Sequence, residues 1–196
     1  TGFSTSFTED SAPQAVVDSA ALSAGHEDST LVPNLVSATV TIRNLQDGTS
    51  ESLAASTGAT GIAASYVSAT GVLSLTGSAT LEQYQQVLRT VTYSNASQNP
   101  STTARNIEFV LNDGSNVSET VTCVMSVFEV NDAPGFTKGA DQTVLEDTAA
   151  QTVAGWASAI SPGPAEESVQ SVSFQVSNDN NTLFSVQPAI TPSGTL

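Results

Sequence analysis

The 196-residue chain contains one cysteine, one histidine, one methionine, one tryptophan and only four basic residues. Each scarcity closes off a class of function. A single cysteine, Cys123, rules out an internal disulfide, and no Cys/His spacing of the zinc-binding kind exists. Cys123 lies in Val121-Thr122-Cys123-Val124-Met125, whose strand-like pattern predicts a buried apolar thiol. His26 reads as a solvated loop residue. No paired nucleophile can be identified for it, so Ser-His-Asp chemistry has no footing. Nineteen acids against four bases give a formal net charge of −15. That leaves no basic footprint for nucleic acid or an anionic membrane surface. No apolar run approaches the ~18 residues of a membrane span, and no signal-peptide pattern is present. The start at Thr1 reads as an excerpt or a processed product. Aromatic residues make up 6% of the chain, too few for a sugar-stacking cleft, and no acid sits in a cleft-like context. A glycosidase built on paired carboxylates is therefore disfavoured. The chain reads as a non-enzyme.

What is present is a hydrophobic share of 39%, spread over short runs. That is enough for a packed core, and the length allows one or two domains. The acidity suits a protein that collects cations, or one that stays soluble in salt.

The chain turns on Val127-Phe128-Glu129-Val130-Asn131-Asp132-Ala133-Pro134. An apolar strand runs into this stretch and a new set of strand signals follows it. Asn and Asp favour turns, and Pro134 removes a donor and drives Ala133 to extended geometry. The stretch therefore reads as a short stiff joint between domains at 1–132 and 133–196. Glu-Val-Asn-Asp-Ala-Pro after a strand resembles the inter-repeat linker of cadherin-like repeats in large bacterial surface adhesins. That resemblance implies calcium held between successive domains.

Before the joint, Phe3 and Phe7 alternate with Ser and Thr. Glu9-Asp10-Ser11-Ala12-Pro13 then breaks the run, and Ala15-Val16-Val17 resumes it. Phe-Thr-Glu-Asp resembles the first signature of the same repeats, whose acid at this bend points toward the C-terminal linker. In the following loop the family pattern Asp-x-Asp-Ser is altered to His26-Glu27-Asp28-Ser29. Ala38, Val40 and Ile42 alternate with Thr39, Thr41 and Arg43, a half-buried antiparallel strand. Short strands follow near Ile62–Val67 and Val72–Thr76, with Ala69-Thr70-Gly71 as a hairpin turn. Leu81, Tyr84, Val87 and Leu88 switch to helical spacing, and Thr80 with Gln83 can form a capping box. This predicts one short helix closing an edge or end of the fold. The helix and the following Thr90-Val91-Thr92-Tyr93-Ser94-Asn95 resemble the repeat subtype related to chondroitin-sulfate-proteoglycan repeats, with Tyr93 in the core and its hydroxyl bonded. Ile107, Phe109 and Leu111 alternate, Asn112-Asp113-Gly114 turns, and residues 117–130 form a long last strand.

After Pro134 the signals restart. Phe136 and Thr143-Val144-Leu145-Glu146-Asp147 parallel Phe3 and Ser6-Phe7-Thr8-Glu9-Asp10, an internal repeat. Gln151–Pro164 has no counterpart in the first unit. It resembles another adhesin repeat subtype, with Trp156 anchoring the core. Strands are expected near Val172–Val176 and Leu183–Val186. A full sandwich of this type takes ~100 residues, so the second unit reads as incomplete: either cut from a longer array or completed by strands from another copy.

The expected fold is all-β: tandem Ig-like, cadherin-like Greek-key β-sandwiches with one short helix in the first domain. No EF-hand or glycine-rich nonapeptide loop is present, so a calcium site would be assembled from distant segments. In such a sandwich Glu9 falls at the C-terminal pole with Glu129, Asn131 and Asp132. The second unit would add Glu166 and Glu167. Asp28 and Asp113 fall at the opposite pole, facing a preceding repeat. The reading is a non-catalytic, calcium-rigidified spacer of an extracellular, bacterial cell-surface protein, whose partners are neighbouring repeats. The alternatives are a carbohydrate- or cell-binding adhesive module, or a strand-donating fibre subunit that pairs with another copy.

Overall fold

A computed structural model describes residues 3–17 and 34–196. The chain divides into two compact units, Thr1–Val130 and Asn131–Leu196. The described residues are mostly β with one α-helix, and the sheets are open.

Unit 1 carries β1 (Phe3–Thr8), β2 (Gln14–Ala15), β3 (Leu35–Ile42), β4 (Glu51–Ala54), β5 (Ala63–Val67), β6 (Val72–Ala79), α1 (Leu81–Leu88), β7 (Thr92–Asn95), β8 (Arg105–Asn112) and β9 (Val121–Phe128). One sheet has the order β1-β9-β8-β3-β6-β5, the other β2-β7-β4. The β1–β9 pair is parallel and the remaining pairs are antiparallel. Both sheets and α1 feed one core. Ala38, Val40 and Ile42 sit in register with Leu111, Phe109 and Ile107 on one side, and Ala38 and Val40 with Leu75 and Leu73 on the other. This parity is what the alternation of apolar residues requires, since a one-residue slip would turn each set to water. Phe7 meets Tyr93 edge-to-face at 5.3 Å, tying the sheets together.

Several expectations hold at the level of residues. Thr80 caps α1 through a complete capping box with Gln83, and Tyr84, Val87 and Leu88 are buried. Tyr93 is fully buried, and its hydroxyl donates to Glu51 Oε1 at 2.7 Å. Cys123 is buried, and burial pushes its thiol up to about 11. Gly71 closes the β5–β6 hairpin at φ +67, where an added Cβ would lie 2.9 Å from Ile42 O. The last strand is shorter than expected. It spans Val121–Phe128, with Val117 bridging Asn112 across the turn.

Unit 2 departs further from the expectation. Its ladder is two-stranded: β10 (Gly135–Lys138) against β11 (Ala157–Ser161). The ladder shifts register between Gly135 and Thr137, and Ala159 sits at φ +48. Val153 and Leu196 exchange backbone bonds at 2.7 and 3.2 Å, and Ala157 N donates to Gly194 O. The segments 143–147 and 172–176 are not strands, and Asn181–Leu183 is a 3₁₀ turn. Alternation alone could not make these segments strands, because among the described residues no backbone ladder runs beside them. Trp156 is only half-buried. Its Nε1 donates to Ala140 O at 2.8 Å, and the buried apolar residue of this unit is Ala157.

Candidate metal centre

In unit 1, β1 ends in a tight bend. Asp10 takes φ +57, and Ser11 N and Oγ both donate to Thr8 O. The bend turns Glu9 inward, where it is 3% exposed. Glu9 N donates to Phe128 O at 2.8 Å, and its Oε2 accepts from Val130 N at 2.9 Å. The carboxylate thus holds the backbone just past β9. Glu129, one residue before, is exposed.

Asp113 lies at the other end of the unit, in the β8–β9 turn. Its Oδ1 accepts from Ser115 N and Asn116 N, both at 2.7 Å. That is ordinary Asx-turn chemistry. Asp28 falls outside the described residues.

In unit 2 the sequence Pro162-Gly163-Pro164 leads into a 3₁₀ turn over Ala165–Val169. The turn gathers carboxylates with the start of the unit. Glu167 is 2% exposed, and its Oε1 accepts from Asp132 N at 2.8 Å. Carboxylate oxygens of Asp132 and Glu166 come within 4.8 Å of each other. Both oxygens of Glu166, and Oε2 of Glu167, are buried without a hydrogen-bond partner. Gly163 makes the close approach possible. At φ +153 it lies against Glu167, and a Cβ there would sit 2.5 Å from Oε2. Asn131 is exposed, and its Oδ1 accepts from Gln170 Nε2 at 2.8 Å. Asn131 is therefore occupied by an amide, while Asp132, Glu166 and Glu167 form a group.

Acids at such spacing repel, and acidic clusters are common without an ion. What sets this one apart is the absence of a countercharge in its unit. Unit 2 has seven acids and one base, Lys138, which is paired with Asp141 at 2.5 Å.

Sequence reasoning missed a second charged group, in unit 1. Arg105 on β8 and Glu51 on β4 are both fully buried. Arg105 Nε donates to Glu51 Oε1 at 2.5 Å, and its other nitrogens reach Asp47 Oδ2 and the carbonyls of Ser101 and Thr103. Glu51 Oε2 accepts from Gln46 N and Asp47 N at 2.8 and 3.0 Å. Asn95 Nδ2 donates to Asp47 Oδ2 at 2.6 Å, and Tyr66 OH donates to Glu51 O at 3.0 Å. Burial, followed by the bond to Glu51, raises the Tyr93 phenol well above its ordinary range. One guanidinium serves both carboxylates, and Tyr93, Asn95 and backbone N–H groups supply further donors, so the group pins the loops. The signal for it was parity: Arg105 shares the inward face with Ile107 and Phe109.

No family model, curated protein or solved structure matched the chain.

Proposed function

We propose that this chain is a non-catalytic, calcium-stiffened repeat of an extracellular bacterial surface protein, similar to the cadherin-like repeats of large adhesins, acting as a spacer. The reading includes an Ig-like Greek-key arrangement for unit 1. The observation that carries it is the pair Glu166 and Glu167: buried carboxylate oxygens with no donor, in a unit whose single base is engaged elsewhere. Burying an unpaired carboxylate costs several kcal/mol (an order-of-magnitude figure) unless a charge compensates it. A hard divalent cation with oxygen ligands meets that need, and an all-carboxylate donor set suits calcium better than a thiol- or imidazole-seeking metal.

In this account Asp132 and Glu166 ligate the ion. Glu167 divides its work: one oxygen fixes the Asp132 backbone and the other turns to the cation. Val130 N is held by Glu9 within unit 1, and Asp132 N by Glu167 within unit 2. Both ends of the short linker are therefore anchored by carboxylates. Loading with calcium restrains the linker backbone and stabilises the folded chain by binding linkage. Titration calorimetry tests this directly. Calcium should release or absorb measurable heat and raise the melting temperature of unit 2. No heat together with an unchanged melting temperature at millimolar calcium removes the proposal.

A further inference from the structure

Unit 1 has a sheet edge that no other strand among the described residues covers. We propose that the β5 edge is a self-association surface, where two copies pair antiparallel and continue the six-stranded sheet across a twofold axis. This inference is independent of the cation reading.

The β5 strand ends its sheet, and among the described residues nothing pairs with its outer side. Ala63, Ala64, Ser65 and Val67 are exposed, Val67 at 49%. An open strand edge is a template for another strand, and proteins usually blunt it with charge, proline or brevity. The other edges of unit 1 are blunted. The β2 strand has two residues, β4 opens on the buried Glu51, and β1 runs into Glu9 and Asp10. The β5 strand has none of these devices. It lies within residues 52–81, thirty consecutive positions without one charged side chain or proline, in a chain of net charge −15.

The charge pattern selects the occupant. Two copies repel over most of their surface, and a strip without charge is where they can approach. The outer face beside the edge continues the strip: Ser65, Ser74 and Thr39 form one row, and Val67, Val72 and Thr41 the next. The strand is also complementary to itself. Centred on Ser65, antiparallel pairing sets Ala63 opposite Val67 of the second copy, Ala64 opposite Tyr66, and Ser65 opposite Ser65. Each large residue then faces a small one. This is the isologous contact a twofold dimer requires, with main-chain bonds supplying the affinity.

Sedimentation equilibrium of the whole chain tests it, with Ser65→Lys as the disrupting variant. The weight-average mass should climb from 20.0 kDa toward twice that value as concentration rises. Association should strengthen between about 20 and 200 mM salt, as self-repulsion is screened. Ser65→Lys sets two like charges opposite each other and should weaken association by about tenfold or more. Under mild oxidation Ser65→Cys should give a covalent dimer at least about ten times faster than an exposed control, Thr102→Cys, because Cα atoms across paired strands fall within disulfide reach. A mass fixed at 20.0 kDa up to about millimolar chain overturns the proposal. So does a Ser65→Lys protein that associates as wild type does, or cross-linking no faster than the control.

Discussion

Glu51 in unit 1 and Glu167 in unit 2 are almost equally hidden from water, at 0% and 2% exposure, yet their surroundings differ. Glu51 receives Arg105, Tyr93 and two backbone N–H groups. Glu167 receives one backbone N–H, and its neighbour Glu166 receives none. Unit 1 carries its own countercharge, Arg105, at the start of β8. Unit 2 has only Lys138, already on Asp141. Burial of an acid is therefore not one kind of feature. It closes a structure when a countercharge is built in beside it, as at Glu51; at Glu166 and Glu167, where no donor meets the buried oxygens among the described residues, the proposed cation would take that part.

The turns make the same contrast on a smaller scale. Thr8–Ser11 and Leu145–Thr148 are copies of one bend. Asp10 and Asp147 take φ +57 and +59, and Ser11 and Thr148 each donate backbone and side chain to the residue three before. Glu9 is buried on the backbone past β9, whereas Glu146 is exposed. The bend is set locally by sequence. The fate of its glutamate depends on whether a last strand runs alongside.

Breaking the closed group should have the largest effect. Arg105→Met leaves Glu51 and Asp47 buried without a cation, and should cost unit 1 about 3–5 kcal/mol in urea unfolding, with no rescue by calcium. In the open group the sign reverses. Glu166→Gln should raise the melting temperature of the calcium-free protein, because it removes repulsion. It should also abolish the calcium-dependent gain, which for wild type is about 2.7 kcal/mol at a hundred times the dissociation constant. Unchanged melting behaviour in both states would erase the distinction between the two groups.

Tyr93→Phe removes one donor from Glu51 and should cost about 1–3 kcal/mol by the same urea assay. The alkaline limb sharpens the picture of unit 1. Burial raises the folded-state values of Cys123, to about 11 from 9.0, and of Tyr93, above 10.0. The unfolded chain releases these protons first. Stability is therefore full below pH 9 and falls as pH rises from 9 through the raised values. Thermal scans should show that decline, and Cys123→Ala should remove the component between pH 9 and 11. The smallest effect is Thr80→Ala, which strips the capping box from α1 for about 1 kcal/mol.

Much of unit 1 was legible because period and partner agree. The helix, its cap, β3, the β5–β6 hairpin and the buried Tyr93 all follow from residues whose local preference matches their neighbours. The pin at Arg105 was hidden because charge suggests a surface, although its parity with Ile107 places it inside. Glu51 gave less warning, since β4 is only four residues long. In unit 2 the alternation at Val172, Phe174 and Val176 is as regular as in β3, but a strand also needs a backbone beside it. Of the candidate ligands, Asp132, Glu166 and Glu167 come together within unit 2. Glu9 engages the backbone in unit 1, and Asp113 is taken up by its own turn. The sequence offered the acids without showing which would find donors, because that depends on contacts far apart along the chain.

The most direct test is an anomalous-scattering map from crystals grown with a few millimolar calcium, the range suited to extracellular sites. The account predicts a peak about 2.3–2.6 Å from carboxylate oxygens of Asp132 and Glu166. A map with no peak there, and with both side chains turned out to water, would contradict it.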